Sequence, residues 1–475
     1  MSPPLHIVLI GAGPGGYVAA IRAAQLGARV TVVERQALGG VCLNWGCIPS
    51  KALLSVVELG DKAKKAADFG LQFGGPPTYH LAQMVERKNK VVTNLVRGIA
   101  TLFKTWGIEH IDGTGRLTDG HTVLVTSKTG EERRLTADAI VVATGSSWPN
   151  LPMFPVDGRR ILTSKEALDL DTIPSSMLII GAGVEGCEFA SLYSGIGTQV
   201  TVVELQHRIL PLEDEEIAGL MDRELRKRGV TLLTGTTVQH VQGSPSSVRC
   251  TLKDESTVTT DCVLVSVGRG FNSHGLGLSE AGVKLGPRGE ILVDERMQTS
   301  VPGIYAIGDV TGKAMLAHVA SAQGKVAVEN ILGHRRTIDY SVIPAGIFTL
   351  PEIGRVGLTE AQARDREIAE GRNPADTLRI GRFRYQGIGK AQATGDTAGI
   401  YKIVAEASTG VLLGVHIMGA HAADLIHEAA LAMRVGATVE QVADMIHAHP
   451  TLAEGMMEAA EDVSGKAIHL ARKRT

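Results

Sequence analysis

The residues His6–Ile10 form a short apolar run that stops at a cluster of glycines, Gly11-Ala12-Gly13-Pro14-Gly15-Gly16. An alanine-rich stretch of helical character continues to Leu26, Gly27 closes it, and a β-branched run, Arg29–Val33, ends on Glu34. This pattern predicts a strand, a tight turn, a helix and a second strand ending in an acid. The same pattern returns later. Leu178–Ile180 leads into Gly181-Ala182-Gly183-Val184-Glu185-Gly186, a helix to Gly197, and Val200–Val203 ending on Glu204. The two segments align without gaps at an offset of 170 residues. They share Gly-Ala-Gly, the third glycine, the helix-closing glycine and Val-Thr-Val-Val-Glu. The chain thus repeats one dinucleotide-binding unit, with the strand before, helix after and acid that give the glycine motif its meaning.

Further markers complete the organisation. Ala139–Ala143 reads as a buried strand leading into Thr144-Gly145, close to a linker with Pro149, Pro152 and Pro155. Cys262–Val267 is a similar strand ending at Gly268-Arg269, and Gly303–Ile307 another, ending at Gly308-Asp309 before a long alanine-rich helix. From about Ile343 the pattern changes to strands (Gly399–Val404, Leu412–Met418) and then helices (Ala422–Val435, Val439–Ile446), which predicts a separate α+β domain. The expected fold is α/β, with Rossmann-like nucleotide-binding domains at 1–150 and 151–272. A segment 273–345 is expected to return to the first domain, and 346–475 to form the C-terminal domain.

The glycines have separate tasks. Gly11 and Gly181 permit the sharp turn, Gly13 and Gly183 let a pyrophosphate approach the backbone, and Gly16 and Gly186 let the helix pack on its strand. The helix N-terminus offers free N–H groups and partial positive charge to phosphates. Glu34 and Glu204 are each expected to accept hydrogen bonds from an adenosine ribose.

Composition narrows the class. The chain has 475 residues, so several domains are expected, and 44% hydrophobic with 21% charged residues is the balance of a globular protein. A net charge of −2 and 4% aromatic residues argue against a nucleic-acid surface. No apolar run is expected to reach the length of a membrane span, and with only Met1–Pro4 ahead of the first element no signal peptide is expected. Five sparse cysteines are not a secreted disulfide framework, so a reducing cytoplasm is the expected compartment. Cys187, Cys250 and Cys262 have no motif context and read as buried small hydrophobes.

Cys42 and Cys47 stand four residues apart in Cys42-Leu43-Asn44-Trp45-Gly46-Cys47, just after the first nucleotide unit. Zinc ligation needs two more ligands nearby and none is in sight, which leaves a redox pair or two unconnected buried cysteines. Gly40-Val41, followed by the stretch from Cys42 through Ile48-Pro49-Ser50-Lys51, resembles the active-site segment of the pyridine nucleotide–disulfide oxidoreductases. The similarity runs along essentially the whole chain, and it is greatest to the members that oxidise dihydrolipoyl groups.

The resemblance implies FAD on the first unit, NAD on the second, and a redox-active Cys42–Cys47 disulfide. Cys47 would lie nearest the flavin and Cys42 would exchange with substrate. Lys51 would lie near the flavin's reactive nitrogen and pair with Glu188 by the nicotinamide. Thr144, Gly145, Asp309 and Ala317 (in Met315-Leu316-Ala317-His318) match flavin-contacting turns, and Gly268 would lie on the NAD side. Gly270-Phe271 stands where the family often has proline, leaving that loop's shape open.

His447-Ala448-His449-Pro450-Thr451-Leu452-Ala453-Glu454 supplies a candidate base. Thiol–disulfide exchange needs a thiolate, and histidine titrates in the right range. Glu454 would orient His449, but Thr451-x-x-Glu454 also reads as a capping box, and His447 as a packed core histidine. The resemblance favours His449 with Glu454. It further implies a C-terminal dimerisation domain, a homodimer whose sites draw on both chains, and lipoyl domains of 2-oxo acid dehydrogenase or glycine cleavage complexes as partners. The rivals are a related reductase acting on glutathione or mercuric ion, and a nucleotide-binding structural or sensing subunit. The tail, Ala471–Thr475, lacks the cysteine pair of mercuric reductases, and glutathione reductase-like chains use arginines after the second fingerprint where this chain has Glu204. Asp61-Lys62-Ala63 resembles a lipoyl attachment tripeptide but lies in a charged helical stretch, and is read as chance.

Overall fold

A computed structural model of the chain describes residues 3–471, so all but one residue of the Ala471–Thr475 tail lies outside it. The first nucleotide unit builds a five-stranded parallel sheet in the order Ile304–Ala306, Ala139–Val142, His6–Ile10, Arg29–Glu34, Glu109–Asp112. The second builds Ile161–Leu162, Cys262–Val265, Ser176–Ile180, Gln199–Glu204, Thr231–Thr234, again parallel. Both central strands are buried and lack polar alternation, as strands covered on two faces require. Each domain also carries a three-stranded antiparallel sheet, Thr114–Leu117 to Glu132–Thr136 and Val238–Gly243 to Thr257–Thr260.

The repeat is visible at atomic scale. A Cβ on Gly11 would stand 2.3 Å from the Ala143 carbonyl oxygen, and one on Gly181 2.2 Å from that of Ser266. Gly16 and Gly186 are as tight, 2.1 and 2.0 Å from the carbonyls of Gly11 and Gly181. Helix Pro14–Gln25 also touches helix Ala317–Ile331, where a Cβ on Gly324 would meet the Gly15 carbonyl at 2.7 Å.

The chain leaves the first domain and returns to it along paired linkers. Ser146–Ser147 and Gly270–Phe271 form a short antiparallel pair, which gives the proline-free stretch after Arg269 its shape. Residues 273–345 then bring back strand Ile304–Ala306. Strand Ala345–Ile347 already belongs to the third sheet, so the boundary expected at 345/346 falls inside that strand. This sheet is antiparallel, in the order Ala345–Ile347, Glu352–Gly357, Leu412–Gly419, Ile400–Glu406, Leu378–Arg384. Helices Ala422–Arg434 and Glu454–Val463 pack on it at glycines. A Cβ on Gly354 would meet the Ala422 carbonyl at 2.2 Å, and one on Gly381 the Ala459 carbonyl at 2.0 Å. The last helix has ten residues.

One expectation is corrected. Residues 40–64 are long and apolar enough, by length and composition, to cross a membrane. The stretch is divided at Gly46 into helices Gly40–Trp45 and Cys47–Lys64. Leu53, Leu54 and Val57 are buried in the core shared with the second domain, and Gly195 of helix Val184–Gly195 makes room for Val57. The apolar face of this stretch is therefore spent on domain packing, which a hydropathy count along the chain does not register.

Candidate active site

A cleft of about 700 Å³ opens at the carboxyl ends of the first sheet's strands. Among the residues expected to act there, Gly11, Gly13, Glu34, Cys42, Cys47, Thr144, Gly145, Asp309 and Ala317 line it. Cys42 and Cys47 are joined as a disulfide with Cα atoms 4.8 Å apart. Helix Gly40–Trp45 and the first turn of Cys47–Lys64 present the two sulfurs, and Gly46 makes the break between them. Asn44 holds the loop by donating to the carbonyls of Leu38 (3.0 Å) and Gly40 (2.9 Å). Cys47 is exposed to the cleft and Cys42 half-buried. The remaining thiols, Cys187, Cys250 and Cys262, are buried, and burial pushes the last two up to about 11 and about 12. At neutral pH they stay protonated and inert.

The glycine turn fits a dinucleotide. Gly13 faces open space, with nothing nearer a Cβ there than Gly40 Cα at 4.0 Å, and it precedes the unpaired N–H groups of helix Pro14–Gln25. Gly145, at φ +69°, is equally open. Glu34 serves first as a backbone clamp. Its two oxygens accept from the N–H of Ala12 (2.8 Å) and of Gln36 (2.7 Å). Glu204 repeats this with Ala182 (2.7 Å) and Gln206 (2.8 Å). A carboxylate has about four acceptor sites, so each acid keeps capacity for a ribose while it shapes its own turn. Gly183 and Gly268 of the second unit likewise face open space.

In the cleft wall the linkers are locked by contacts of Thr144 and Asp309 with Asn272, Ser146 and Arg269, partners that no sequence motif announced. Thr144 and Asn272 exchange hydrogen bonds of 2.7 and 2.9 Å. Ser146 donates to Asp309, and Arg269 binds the Ser146 hydroxyl (2.8 Å) and carbonyl (2.9 Å) while its guanidinium lies 4.7 Å from the Trp148 ring centre. Burial pulls the Arg269 guanidinium below its usual value. The one signal for this cluster was that Gly268-Arg269 and Thr144-Gly145 both end strands beside a linker.

Lys51 and Glu188 lie outside the cleft wall and meet each other. Lys51 donates to both Glu188 oxygens, at 2.9 and 2.7 Å, and its ammonium lies 4.5 Å from the Phe348 ring centre. The Phe348 N–H also donates to Glu188 (2.9 Å), so this pair joins all three domains.

His449 does not line the cleft; its side chain is 77% exposed on the third domain. Its Nδ1 lies 2.8 Å from one Glu454 oxygen, while the other accepts from the Thr451 N–H at 2.9 Å. The capping box is therefore half made. The Thr451 hydroxyl donates back to the Ala448 carbonyl, and Glu454 is itself the first helical residue. Burial would raise the Glu454 carboxyl, but the hydrogen bond to His449 and the Thr451 N–H hold it below the usual range. His447 has a buried side chain, between Glu428 (3.0 Å) and the Met445 carbonyl (2.9 Å). Beside it Ile446 is 96% exposed, and Leu431 and Val435 are exposed as well.

Comparison with known proteins agrees with this geometry. Residues 5–324 match the family described as pyridine nucleotide-disulphide oxidoreductase, and residues 343–460 match its dimerisation domain. The dihydrolipoyl dehydrogenase of Chlorobaculum tepidum is 42% identical, with 97% of each chain covered. That of Bacillus subtilis is 42% identical over 99% of this chain and 100% of its own. Among solved structures, LpdA from Mycobacterium tuberculosis superposes with a TM-score of 0.89 at 31% identity, covering 97% of this chain and 99% of its own. The HOCl-induced flavoprotein disulfide reductase RclA from Escherichia coli gives 0.85 at 25% identity, covering 96% and 99%. With its paired nucleotide units, its disulfide in the first cleft and its dimerisation domain, the chain belongs to the pyridine nucleotide–disulphide oxidoreductases, FAD- and NAD-using enzymes.

Proposed function

We propose that the chain is a dihydrolipoyl dehydrogenase, oxidising dihydrolipoyl groups with NAD⁺. The observation that carries this reading is the Cys42–Cys47 disulfide in the wall of a cleft built by a dinucleotide turn. The names of full-length relatives at about 40% identity support the choice of substrate. FAD would be held by Gly11, Gly13, Glu34, Thr144, Gly145, Asp309 and Ala317, and when bound it supplies the two-electron relay between the reduced cysteines and NAD⁺. NAD⁺ would be held by the turn around Gly183, with Glu204 and Gly268.

The protein's own part is thiol exchange. A dihydrolipoyl thiolate attacks Cys42 Sγ, and Cys47 leaves as a thiolate. The second substrate sulfur then attacks the mixed disulfide, releasing the cyclic lipoyl disulfide and the Cys42 thiol. The proton lost by the substrate goes to His449 Nε2, since Nδ1 is engaged by Glu454. His449 of the partner subunit serves the cleft in this scheme, in an isologous homodimer closed over the exposed Leu431, Val435 and Ile446. The lipoyl domains of a 2-oxo acid dehydrogenase or glycine cleavage complex are the partners, and the cytoplasm the compartment.

The test is turnover of free dihydrolipoamide with NAD⁺. Wild type is expected to turn over and Cys42→Ser to show none, with FAD still bound. A flavin-loaded wild type inert to dihydrolipoamide would sink the substrate assignment. A second expectation concerns the nucleotide. Glu204 places an acidic side chain beside the ribose site, so kcat/KM with NAD⁺ should exceed that with NADP⁺ at least tenfold, about 1.4 kcal/mol. Comparable values for the two nucleotides would contradict it.

A further inference from the structure

The second nucleotide unit departs from the first at one position that faces the disulfide cleft. Gly15 and Glu185 are equivalent under the 170-residue repeat. In the first copy a side chain has little room there: a Cβ on Gly15 would stand 3.1 Å from the Ala320 carbonyl, beneath helix Ala317–Ile331. In the second copy the same face is open. Val184 beside it is exposed, and Glu185 lines the cleft that Cys42 and Cys47 line. An acid at this position therefore answers no packing need of the repeat.

The other charges on this wall are committed. Lys165 lies 5.5 Å from the centre of the Trp45 ring. Glu166 caps its own short helix through Thr163, and Arg269 is held by Ser146 and Trp148. Glu185 has a neutral hydrogen-bond partner, and its charge reaches the Arg269 guanidinium only at longer range. The Ser266 hydroxyl donates to it at 3.0 Å, and it makes no salt bridge among the described residues.

The inference rests on the reading that NAD⁺ docks on the second unit. On that reading a dinucleotide held at Gly183 would present its nicotinamide to the first cleft, which Glu185 lines from the first turn of helix Val184–Gly195. The oxidised ring carries a positive charge and the reduced ring none. A carboxylate that no salt bridge neutralises distinguishes the two by Coulomb attraction. We propose that Glu185 is a specificity residue that favours the cationic, oxidised nicotinamide over the neutral, reduced one. Its effect is to hold NAD⁺ for reaction and to ease the departure of NADH.

The experiment is equilibrium binding to the oxidised holoenzyme, read by calorimetry. The two probes are NAD⁺ and 1,4,5,6-tetrahydro-NAD, whose neutral ring cannot donate hydride. Glu185→Gln is expected to weaken NAD⁺ on the order of tenfold and to leave tetrahydro-NAD within about twofold, the scatter expected of a surface change. Glu185→Asp should keep most of the preference. If Glu185→Gln shifts both ligands equally, or neither, the charge assignment is overturned. If wild type binds neither ligand, the nicotinamide reading fails, and this inference with it.

Discussion

Replacing His449 with alanine is expected to lower dihydrolipoamide turnover by about 10²–10⁴-fold, the usual contribution of a general base. FAD content and the Cys42–Cys47 disulfide should be unchanged. The reason lies in the geometry of the His449–Glu454 pair. The 2.8 Å contact to Glu454 fixes Nδ1, leaving Nε2 as the basic atom, and the depressed Glu454 carboxyl stays ionised to stabilise the imidazolium. Yet this His449 does not line the cleft that holds its own chain's disulfide. The sharper test is therefore complementation. Cys42→Ser and His449→Ala are each expected to be severely impaired alone. A mixed dimer holds one site with both defects and one site with none, so purified mixed dimers should recover about half of wild-type activity. Mixed dimers as inactive as either parent would mean that His449 serves its own chain or no chain.

The parts of the molecule that were legible in the sequence are those whose physics is local. A positive φ at Gly11 and Gly181 and a missing Cβ at Gly16 and Gly186 are demands that only glycine meets, so the turns were marked twice. The buried parallel strands announced themselves by unbroken β-branched runs such as Arg29–Val33. What stayed hidden depends on residues far apart in the chain. Arg269 meets Ser146 across more than a hundred residues, and the strand ends beside the two positions do not specify the contact. The clamp role of Glu34 and Glu204 was also hidden, because a strand-ending acid looks the same whether a ribose or its own turn takes its oxygens. The proposed pairing of His449 with Cys42 has no signature within one chain, since the two belong to different domains and His449 stands outside the cleft.

Lys402 shows the same effect in stability rather than chemistry. In the sequence it is a lysine in the middle of strand Ile400–Glu406, where a polar residue normally faces water. In the structure it is 2% exposed. Its ammonium lies 2.7 Å from Asp214, itself 1% exposed, 3.0 Å from Glu360 and 3.3 Å from Glu216. Asp214 also caps helix Glu215–Lys227 and accepts from the Glu360 N–H, so this group ties the NAD domain to the third domain. Burial alone would raise the Asp214 and Glu360 carboxyls, but the hydrogen bond from Lys402, with the positive charge behind it, brings both below their usual range. Burial would likewise lower Lys402, and its bonds to Asp214 and Glu360 outweigh that and raise it.

Depressed acids contribute stability above their ordinary values of 3.8 and 4.5, lost as pH falls through the folded values. The raised lysine contributes below 10.5, lost as pH rises through its folded value. The network is thus complete between roughly pH 5 and pH 10. Lys402→Ala leaves a buried, uncompensated carboxylate and is expected to cost about 3–5 kcal/mol at pH 7. Arg382→Ala, which removes a partner of Glu216 and Glu360 whose side chain is 40% exposed, should cost only about 0–1 kcal/mol. Urea unfolding of the holoenzyme, followed at pH 7 and pH 4, separates the two. The Lys402→Ala deficit should shrink at pH 4 as Asp214, no longer held down, takes up a proton more easily. Equal losses for the two variants, or a Lys402→Ala deficit that does not change with pH, would show that the buried network does not carry the stability assigned to it.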